Sequence, residues 1–538
     1  MVNFLEKFKY INTAFPEKVA VIHQMGRRTS KNTSFAELDG ISSEIADLLR
    51  SRGVRRGDFI GVYCNKSIEH IAAIIGILKA GAAFYSINHR LKLPQLKYIL
   101  DAAGSQILFI DSTSLLNFKT LKEFAVDRFR LIYIPNDKPS PVHEKIITSL
   151  KEQTTIDIFP RLPVQSRLSA HSHHILKQDV GFVLFTSGST GKPNGVMISH
   201  QDLYNRAMTE CDDFSLSHND RLLSLLPFSF DVGCNQLFTS LSTGCTLVIL
   251  NSWLPQDICS AIQEHKITGI SAVPAIWSAM LETQDHETIQ SSFGSVRYIT
   301  VSGGDLPILL LLQLKALLPN VNIFKTYGQT ETFRSGLLYP HEFEKKTASV
   351  GRPVAGTDVF IITKTGKQAA PDEPGEIVHR GDGMMKGYMG DTVRTNKKIR
   401  RNPLQNPSSL DAQYAVFTGD IGKIDQDGYL YILGRQDKMI KTSGYRVYPK
   451  EVCDQLLTHP DVKDVAVFGV RDDKIGNSIF CELQLKANSL VSEEDIRLYL
   501  ASRLPAYMIP VKIVFVETFP RTPTGKIKLA EIEKRYNV

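Results

Sequence analysis

Between Thr33 and Ile134 the chain alternates amphipathic helical stretches with short apolar runs, and this alternation restricts the possible folds more than any other feature. Ser43 to Arg52 places Ile45, Leu48 and Leu49 on one helical face and stops at Gly53, after which Phe59 to Tyr63 reads as a strand. The unit recurs. Helix Ile68 to Lys79 ends before Gly81 and strand Ala82 to Ile87, helix Leu93 to Ala102 precedes strand Gln106 to Ile110, and Leu131 to Ile134 supplies a further strand. Strands separated by helices cannot pair as hairpins, so the pattern predicts an α/β fold with a mainly parallel sheet and helices on its faces. At 538 residues with 43% hydrophobic content, the chain points to at least two domains, one of them large and composite.

Composition excludes several function classes. Lys+Arg 63 against Asp+Glu 56 leaves a formal +7, mild for this size, and the basic residues are scattered, so no nucleic-acid surface is expected. The one basic run, Lys397-Lys398-Ile399-Arg400-Arg401, reads as a solvated loop. Apolar stretches such as Ile71 to Leu78 fall far short of the ~20 residues of a membrane helix, and MVNFLEKFKY lacks a signal-peptide layout; no membrane span and a cytoplasmic location are expected. Seven widely spaced cysteines with no C-x-x-C pair argue against a disulfide framework and read as buried apolar residues. His171, His173 and His174 lack neighbouring Cys or carboxylate partners and read as a surface loop rather than a metal site.

The chemistry begins at 181–200, GFVLFTSGSTGKPNGVMISH. An apolar run, Phe182 to Phe185, opens into a loop of Thr186, Ser187, Gly188, Ser189, Thr190, Gly191 and Lys192, and Val196-Met197-Ile198 resumes a strand. The glycines let backbone approach a ligand closely, the hydroxyls donate, and Lys192 adds charge, a set suited to phosphate. A Walker loop is excluded because Pro193 follows Lys192 and Thr186 stands where its first glycine belongs. A Rossmann fingerprint also fails, since no helix begins before Ser199 to Asp202. The string TSGSTGKPNGV closely resembles the phosphate loop of the AMP-forming adenylating enzymes, the superfamily of acyl-CoA synthetases, peptide-synthetase adenylation domains and luciferases.

The resemblance extends, motif by motif, from about Thr33 to Lys528. Strand Leu222 to Phe228 leads into PFSFDVG, placing Phe230 and Asp231 at a strand's end, where open α/β sheets put their ligands. In the peptide-synthetase relatives an aspartate in this position holds the substrate's α-ammonium group; by local sequence Asp231 also reads as a helix cap or a loop residue facing water. The likeness lines the substrate pocket with Phe230, Asp231, Val232, Asn235, Ser271, Ile299, Val301, Thr326 and Arg334. A guanidinium there needs an anion, either a second substrate carboxylate or Asp231 itself. Gly303-Gly304-Asp305 and Tyr327-Gly328-Gln329-Thr330-Glu331 follow strands and resemble the segments that hold adenine, with Tyr327 stacked on the base, Thr330 on the α-phosphate and Glu331 on Mg²⁺. Gln329 replaces the proline usual in peptide-synthetase domains.

Glu373-Pro374-Gly375-Glu376 onward reads as a smaller β-rich, barrel-like subdomain. The resemblance gives Asp420 the ribose hydroxyls and Arg435 ribose and phosphate. It divides the chain into a core, 1–436, and a small mobile α+β domain, 437–538, with a hinge at Asp437 and a face carrying Gly444 and Tyr445. Lys526, by composition a surface lysine, becomes the catalytic lysine by the likeness alone. The implied reaction uses ATP and Mg²⁺ to turn a carboxylic acid, expected to be an amino acid, into an acyl-adenylate. Transfer follows to a phosphopantetheine thiol, of a carrier protein acting in trans or, alternatively, of free CoA to a simple acyl group. A catalytically silent binding protein and a luciferase-like oxidation stay open beside it.

Overall fold

The computed structural model describes residues 3–536 apart from 27–28, 90, 92, 118–129, 137–139, 153, 160–174, 188–192, 305, 405–413, 443–444, 473–475 and 523–524. His171, His173, His174, Gly188 to Lys192, Asp305 and Gly444 therefore lie outside the described residues.

Two eight-stranded sheets form the larger part. One runs Gly336–Leu338, Asn322–Tyr327, Tyr298–Val301, Gly269–Ala272, Arg221–Ser224, Thr246–Leu250, Val19–Gly26, Thr29–Ser34; its six inner strands are parallel and each edge strand is antiparallel. The other runs Gly387–Tyr388, Pro193–Ser199, Val180–Ser187, Ala83–Ser86, Phe59–Tyr63, Ile107–Ile110, Arg130–Tyr133, Ile156–Ile158, and is parallel except for the first two pairings. The alternation read from Thr33 to Ile134 thus builds the second sheet. Helices Ile68–Lys79 and Asp231–Thr243 share the core with strands of both sheets. Both are buried nearly all round; Ile68–Lys79 is apolar on almost every face, as that burial requires, whereas Asp231–Thr243 buries Asn235, Gln236, Thr239, Ser240 and Ser242 among its apolar residues. Gly76 brings Ile68–Lys79 against Phe35–Ser51, since a Cβ there would lie 2.6 Å from the Ile45 side chain.

The β-rich segment is an open sheet rather than a barrel. Thr357–Ile362, Gly375–Gly381 and Tyr414–Ile424 pair in order, all antiparallel. Ile399–Arg401 then takes residues 414–416 of the long strand and Leu430–Arg435 takes 420–424, so both occupy the edge opposite Gly375–Gly381. Two strands sharing one edge leave none to return to Thr357–Ile362, and among the described residues nothing closes the sheet. Farther along, Val462–Asp472, Gly476–Leu485 and Lys512–Phe515 form a three-stranded sheet packed by helices Pro449–Leu456 and Glu493–Ala501 around a separate apolar core. Among the described residues no helix is long and apolar enough to cross a membrane, and six of the seven free cysteines are buried.

Candidate active site

Four parallel strands of the first sheet end on one side of the molecule, and the loops leaving them carry the candidate residues. Arg221–Ser224 leads to Phe230 and Asp231, Gly269–Ala272 to Pro274, Tyr298–Val301 to Gly303 and Gly304, and Asn322–Tyr327 to Thr330 and Glu331. Gly303 has φ +75°, and a Cβ there would meet the Phe230 ring at 2.9 Å, so a glycine is what allows these two loops to close together.

Asp231 opens helix Asp231–Thr243 without receiving a cap from Phe230. Its carboxylate accepts hydrogen bonds from Val232 N at 2.8 Å and Thr330 Oγ1 at 3.2 Å. Solvent reaches the group only partly, and burial raises its pKa against the opposing pull of the Val232 amide, Lys526, Thr330 and Arg206. Lys526 acts on Asp231 because the turn at 522–526 rests on the first sheet's side of the molecule: a Cβ on Gly525 would lie 2.5 Å from the Ala275 Cβ. Thr522 closes that turn, accepting from Lys526 N at 3.1 Å, and Arg521 donates to Gly525 O at 2.9 Å.

Asp420 collects three donors: Tyr327 Oη at 2.6 Å, Gln329 Nε2 at 2.7 Å and Arg435 Nη1 at 3.0 Å. Burial beside this carboxylate drives the Tyr327 phenol far above its ordinary pKa. Gln329 also donates to Thr418 O at 3.1 Å, and Lys398 Nζ donates to the same oxygen at 2.6 Å. Burial lowers the Lys398 pKa while Glu331, Asp420 and Glu376 support its charge. Glu331 accepts from Tyr388 Oη at 2.7 Å; Tyr388 lies on the short strand beside Pro193–Ser199, whose hairpin closes at Ser187↔Pro193. Thr186 pairs with Asn194 in that hairpin, so Thr186 and Ser187 lead directly into 188–192.

Three of the expected pocket residues stand elsewhere. Ile299 and Val301 share a sheet face with Ile270, Ala272 and Ile323 and are fully buried against Trp277, Leu311 and Leu314. Because side chains alternate along a strand, the face turned toward helix Asp231–Thr243 carries Tyr298 and Thr300 instead, in register with Ser271 and Phe324. Ser302 Oγ links Thr300 Oγ1 at 3.1 Å to Thr326 Oγ1 at 2.8 Å, giving that face a row of hydroxyls. Arg334 meets neither Asp231 nor an open pocket. Its guanidinium pairs with buried Glu210 and, at 3.0 Å, with Asp213, and it stacks over Phe214 and Phe333. Asn235 is buried one helical turn beyond Asp231, with Nδ2 3.3 Å from Thr239 Oγ1. Asp437 lies in the single turn Gln436–Lys438, which follows strand Leu430–Arg435 and precedes the segments of the smaller core.

The sequence reading missed Lys398 and Arg206. Lys398 was hidden in its basic run, of which Arg400 and Arg401 are indeed exposed. Arg206, on helix His200–Asp213, is buried, donates to Gly383 O and stacks over Phe333; burial lowers its pKa to about 10. Its signal was available: Arg206 and Glu210 fall at helical spacing on the stripe that Leu203 and Ala207 mark as buried.

The donor set suits a magnesium nucleotide. Among the described residues no three His, Cys, Asp or Glu side chains gather as a metal cage. A single carboxylate, Glu331, matches the way Mg²⁺ is commonly held, by one or two protein carboxylates with phosphate oxygens and water.

Comparison with known proteins identifies the family. The AMP-binding enzyme family model matches residues 8–389, and the AMP-binding enzyme C-terminal domain matches 451–526. Bacitracin synthase 3 of Bacillus licheniformis is 28% identical over 539 residues, covering 97% of this chain and 8% of that protein. The long-chain-fatty-acid–CoA ligase FadD13 of Mycobacterium tuberculosis is 28% identical over 511 residues, covering 95% of this chain and 94% of that one. The structure of o-succinylbenzoate CoA synthetase from Bacillus subtilis with its acyl-adenylate intermediate superposes with TM-score 0.79 at 25% identity, covering 99% of this chain and 98% of that one. The same enzyme with ATP and magnesium gives 0.80 at 25% identity, covering 98% and 99%. The chain thus belongs to the AMP-binding enzyme family, the adenylate-forming acid–thiol ligases.

Proposed function

We propose that this enzyme activates an α-amino acid as its adenylate and passes the acyl group to a phosphopantetheine thiol of a carrier protein acting in trans. The observation that carries the amino-acid reading is Asp231. A carboxylate held at a raised pKa by burial, at the mouth of a helix and beside Thr330, is costly unless a cation compensates it, and a substrate ammonium would do so.

In the first step a substrate carboxylate oxygen bonds to the α-phosphorus of ATP, the bond to the β-phosphate oxygen breaks, and pyrophosphate leaves with that electron pair. In the second a thiolate sulfur bonds to the acyl carbon and AMP departs as the C–O bond breaks. No protein nucleophile is needed, so the residues position and stabilise charge. Lys526 and Thr330 would meet charge growing on the α-phosphate, with Thr186, Ser187, Gly188, Ser189, Thr190, Gly191 and Lys192 donating to the outer phosphates. Tyr327, Gly303, Gly304 and Asp305 would border adenine. Asp420 and Arg435 would hold ribose, a ribose hydroxyl taking over a donor position that Tyr327 or Gln329 fills in this structure. Glu331 would hold Mg²⁺, which when bound neutralises phosphate charge. Lys526 would stand at the site for the first step, and rotation about Asp437 would then clear it for the thiol.

The alternative acceptor, free CoA with a simple acyl group, is favoured by the end-to-end match with a fatty-acid–CoA ligase. ATP–pyrophosphate exchange across amino acids and their deamino analogues tests the reading; preference for the deamino acids refutes it. A thiol-transfer assay offering CoA and a phosphopantetheinylated carrier side by side tests the acceptor, and transfer to CoA alone refutes the carrier.

A further inference from the structure

Glu331 is held twice by one short segment. Its carbonyl oxygen accepts from Met385 N at 2.9 Å, and its carboxylate Oε1 accepts from Tyr388 Oη at 2.7 Å. A phenol keeps its proton until about pH 10 and has only one to give, so Tyr388 spends it on that oxygen. The other oxygen, Oε2, meets no partner among the described residues. Lys398 and Arg206 feel the charge of Glu331 but donate to Thr418 O and Gly383 O instead. One oxygen is thus fixed, and the other is left for a cation from outside the chain.

Tyr388 is itself firmly anchored. It is 5% exposed, and its N donates to Thr395 Oγ1 at 2.9 Å. Gly387, with φ +138°, clears the Thr395 side chain, which a Cβ would meet at 2.9 Å. The segment runs as an added strand along Pro193–Ser199, the arm that leaves 188–192. Gly387 and Tyr388 pair with Met197 and Val196, Met389 N donates to Gly195 O at 2.8 Å, and Arg394 donates to Asn194 Oδ1. Asn194 in turn pairs with Thr186 across the hairpin. A continuous set of pairings therefore joins the flanks of 188–192 to the carboxylate of Glu331, and the Tyr388 hydroxyl is its last link.

We infer that Tyr388 is a positioning residue for the metal: by holding one oxygen of Glu331 against the hairpin strand, it presents the other to the Mg²⁺ of the bound nucleotide. This rests on the proposed role of Glu331 and extends it to a residue that acts through Glu331. A carboxylate left free to turn loses that freedom each time a cation binds, and loss of such a supporting donor typically costs about 10- to 100-fold in metal affinity.

Tyr388→Phe removes the donor and keeps the ring. Mn²⁺ takes the same oxygen ligands as Mg²⁺ and can be followed by electron paramagnetic resonance. With the non-cleavable analogue α,β-methylene-ATP on the full chain, Mn²⁺ should bind about 10- to 100-fold more weakly in Tyr388→Phe than in the unaltered enzyme. The Mg²⁺ concentration that half-saturates pyrophosphate exchange should rise with it. Calorimetry of the same analogue in EDTA should change little, which shows that the variant is folded and its nucleotide site intact. Glu331→Gln should weaken Mn²⁺ binding at least as much, and adding Tyr388→Phe to it should change nothing further, because the two side chains act as one unit. Equal losses of the analogue with and without metal would make Tyr388 a strut of its strand and overturn the inference. So would unchanged Mn²⁺ binding in Tyr388→Phe beside a clear loss in Glu331→Gln. Unchanged Mn²⁺ binding in Glu331→Gln would overturn both the inference and the reading of Glu331 on which it rests.

Discussion

Gly525 makes the arrival of Lys526 open to a quantitative test. Its φ of +83° and its place against Ala275 raise two separate barriers to a side chain. The left-handed backbone costs alanine about 1–2 kcal/mol, but the turn carries that cost wherever the small domain sits, so it cancels when the two half-reactions are compared. The collision does not cancel. A methyl group whose Cβ falls 2.5 Å from the Ala275 Cβ must push the turn away from helix Pro274–Thr283, and only in the orientation that brings Lys526 to Asp231. Overpacking of this kind costs about 1–3 kcal/mol, so Gly525→Ala should slow adenylation by roughly 5- to 150-fold. ATP–pyrophosphate exchange reads that step; single-turnover transfer from supplied acyl-adenylate to the thiol reads the other and should change little. Ala275→Gly removes the opposing methyl and should restore exchange in the double variant by most of the loss, whereas alone it should do little. Equal slowing of both half-reactions, or no rescue by Ala275→Gly, would show that this contact does not govern the first step.

Four further outcomes are expected. Lys526→Ala should reduce pyrophosphate exchange by at least ~10²-fold, as when a donor is deleted from an oxyanion site, with thiol transfer from supplied adenylate retained; near-normal exchange would contradict the role. Lys398→Met should weaken ATP binding by about tenfold or more, as for loss of a hydrogen bond to a charged group, and adenosine binding far less, with Lys398→Arg restoring part of it; equal losses for both ligands in calorimetry would make Lys398 a strut of Thr418 alone. Asp231 has a folded pKa raised above its unfolded value, so its ionised form costs stability at neutral pH and the cost fades as pH falls through the folded value toward 3.8. Asp231→Asn should therefore raise Tm at pH 7 and less at pH 4 while abolishing amino-acid activation, and a lower Tm at pH 7 would refute the uncompensated charge. Asp437→Pro, by fixing φ near about −65°, should spare adenylation and depress thiol transfer; equal effects in single turnover would move the hinge elsewhere.

Local sequence disclosed what local physics determines. The apolar runs on either side of 188–192, the loops that follow strand ends, and the glycine at 303 are set by short-range pattern, and Asp231 was readable because the apolar run from Leu222 leads toward it, although the strand itself stops at Ser224, six residues short of it. What escaped depended on pairing across distance. Register decides which of Thr300 and Val301 faces helix Asp231–Thr243, and a shift of one residue reverses the answer. Arg334 could not be assigned without Glu210 and Asp213, more than a hundred residues earlier, and Lys398 turns inward from a run whose other members do not. The β-rich segment gave its strands but not their closure, because two of them compete for one edge.

The buried ion cluster of Glu210, Asp213 and Arg334 also constrains how this part of the molecule can change over generations. Glu210, Asp213 and Arg334 are all buried, so replacing any one leaves an unbalanced charge inside, a loss of about 3–5 kcal/mol. That is a large share of the stability of an ordinary domain. Single steps through these three positions are therefore costly to a drifting lineage, and change here comes by exchanging the three charges together.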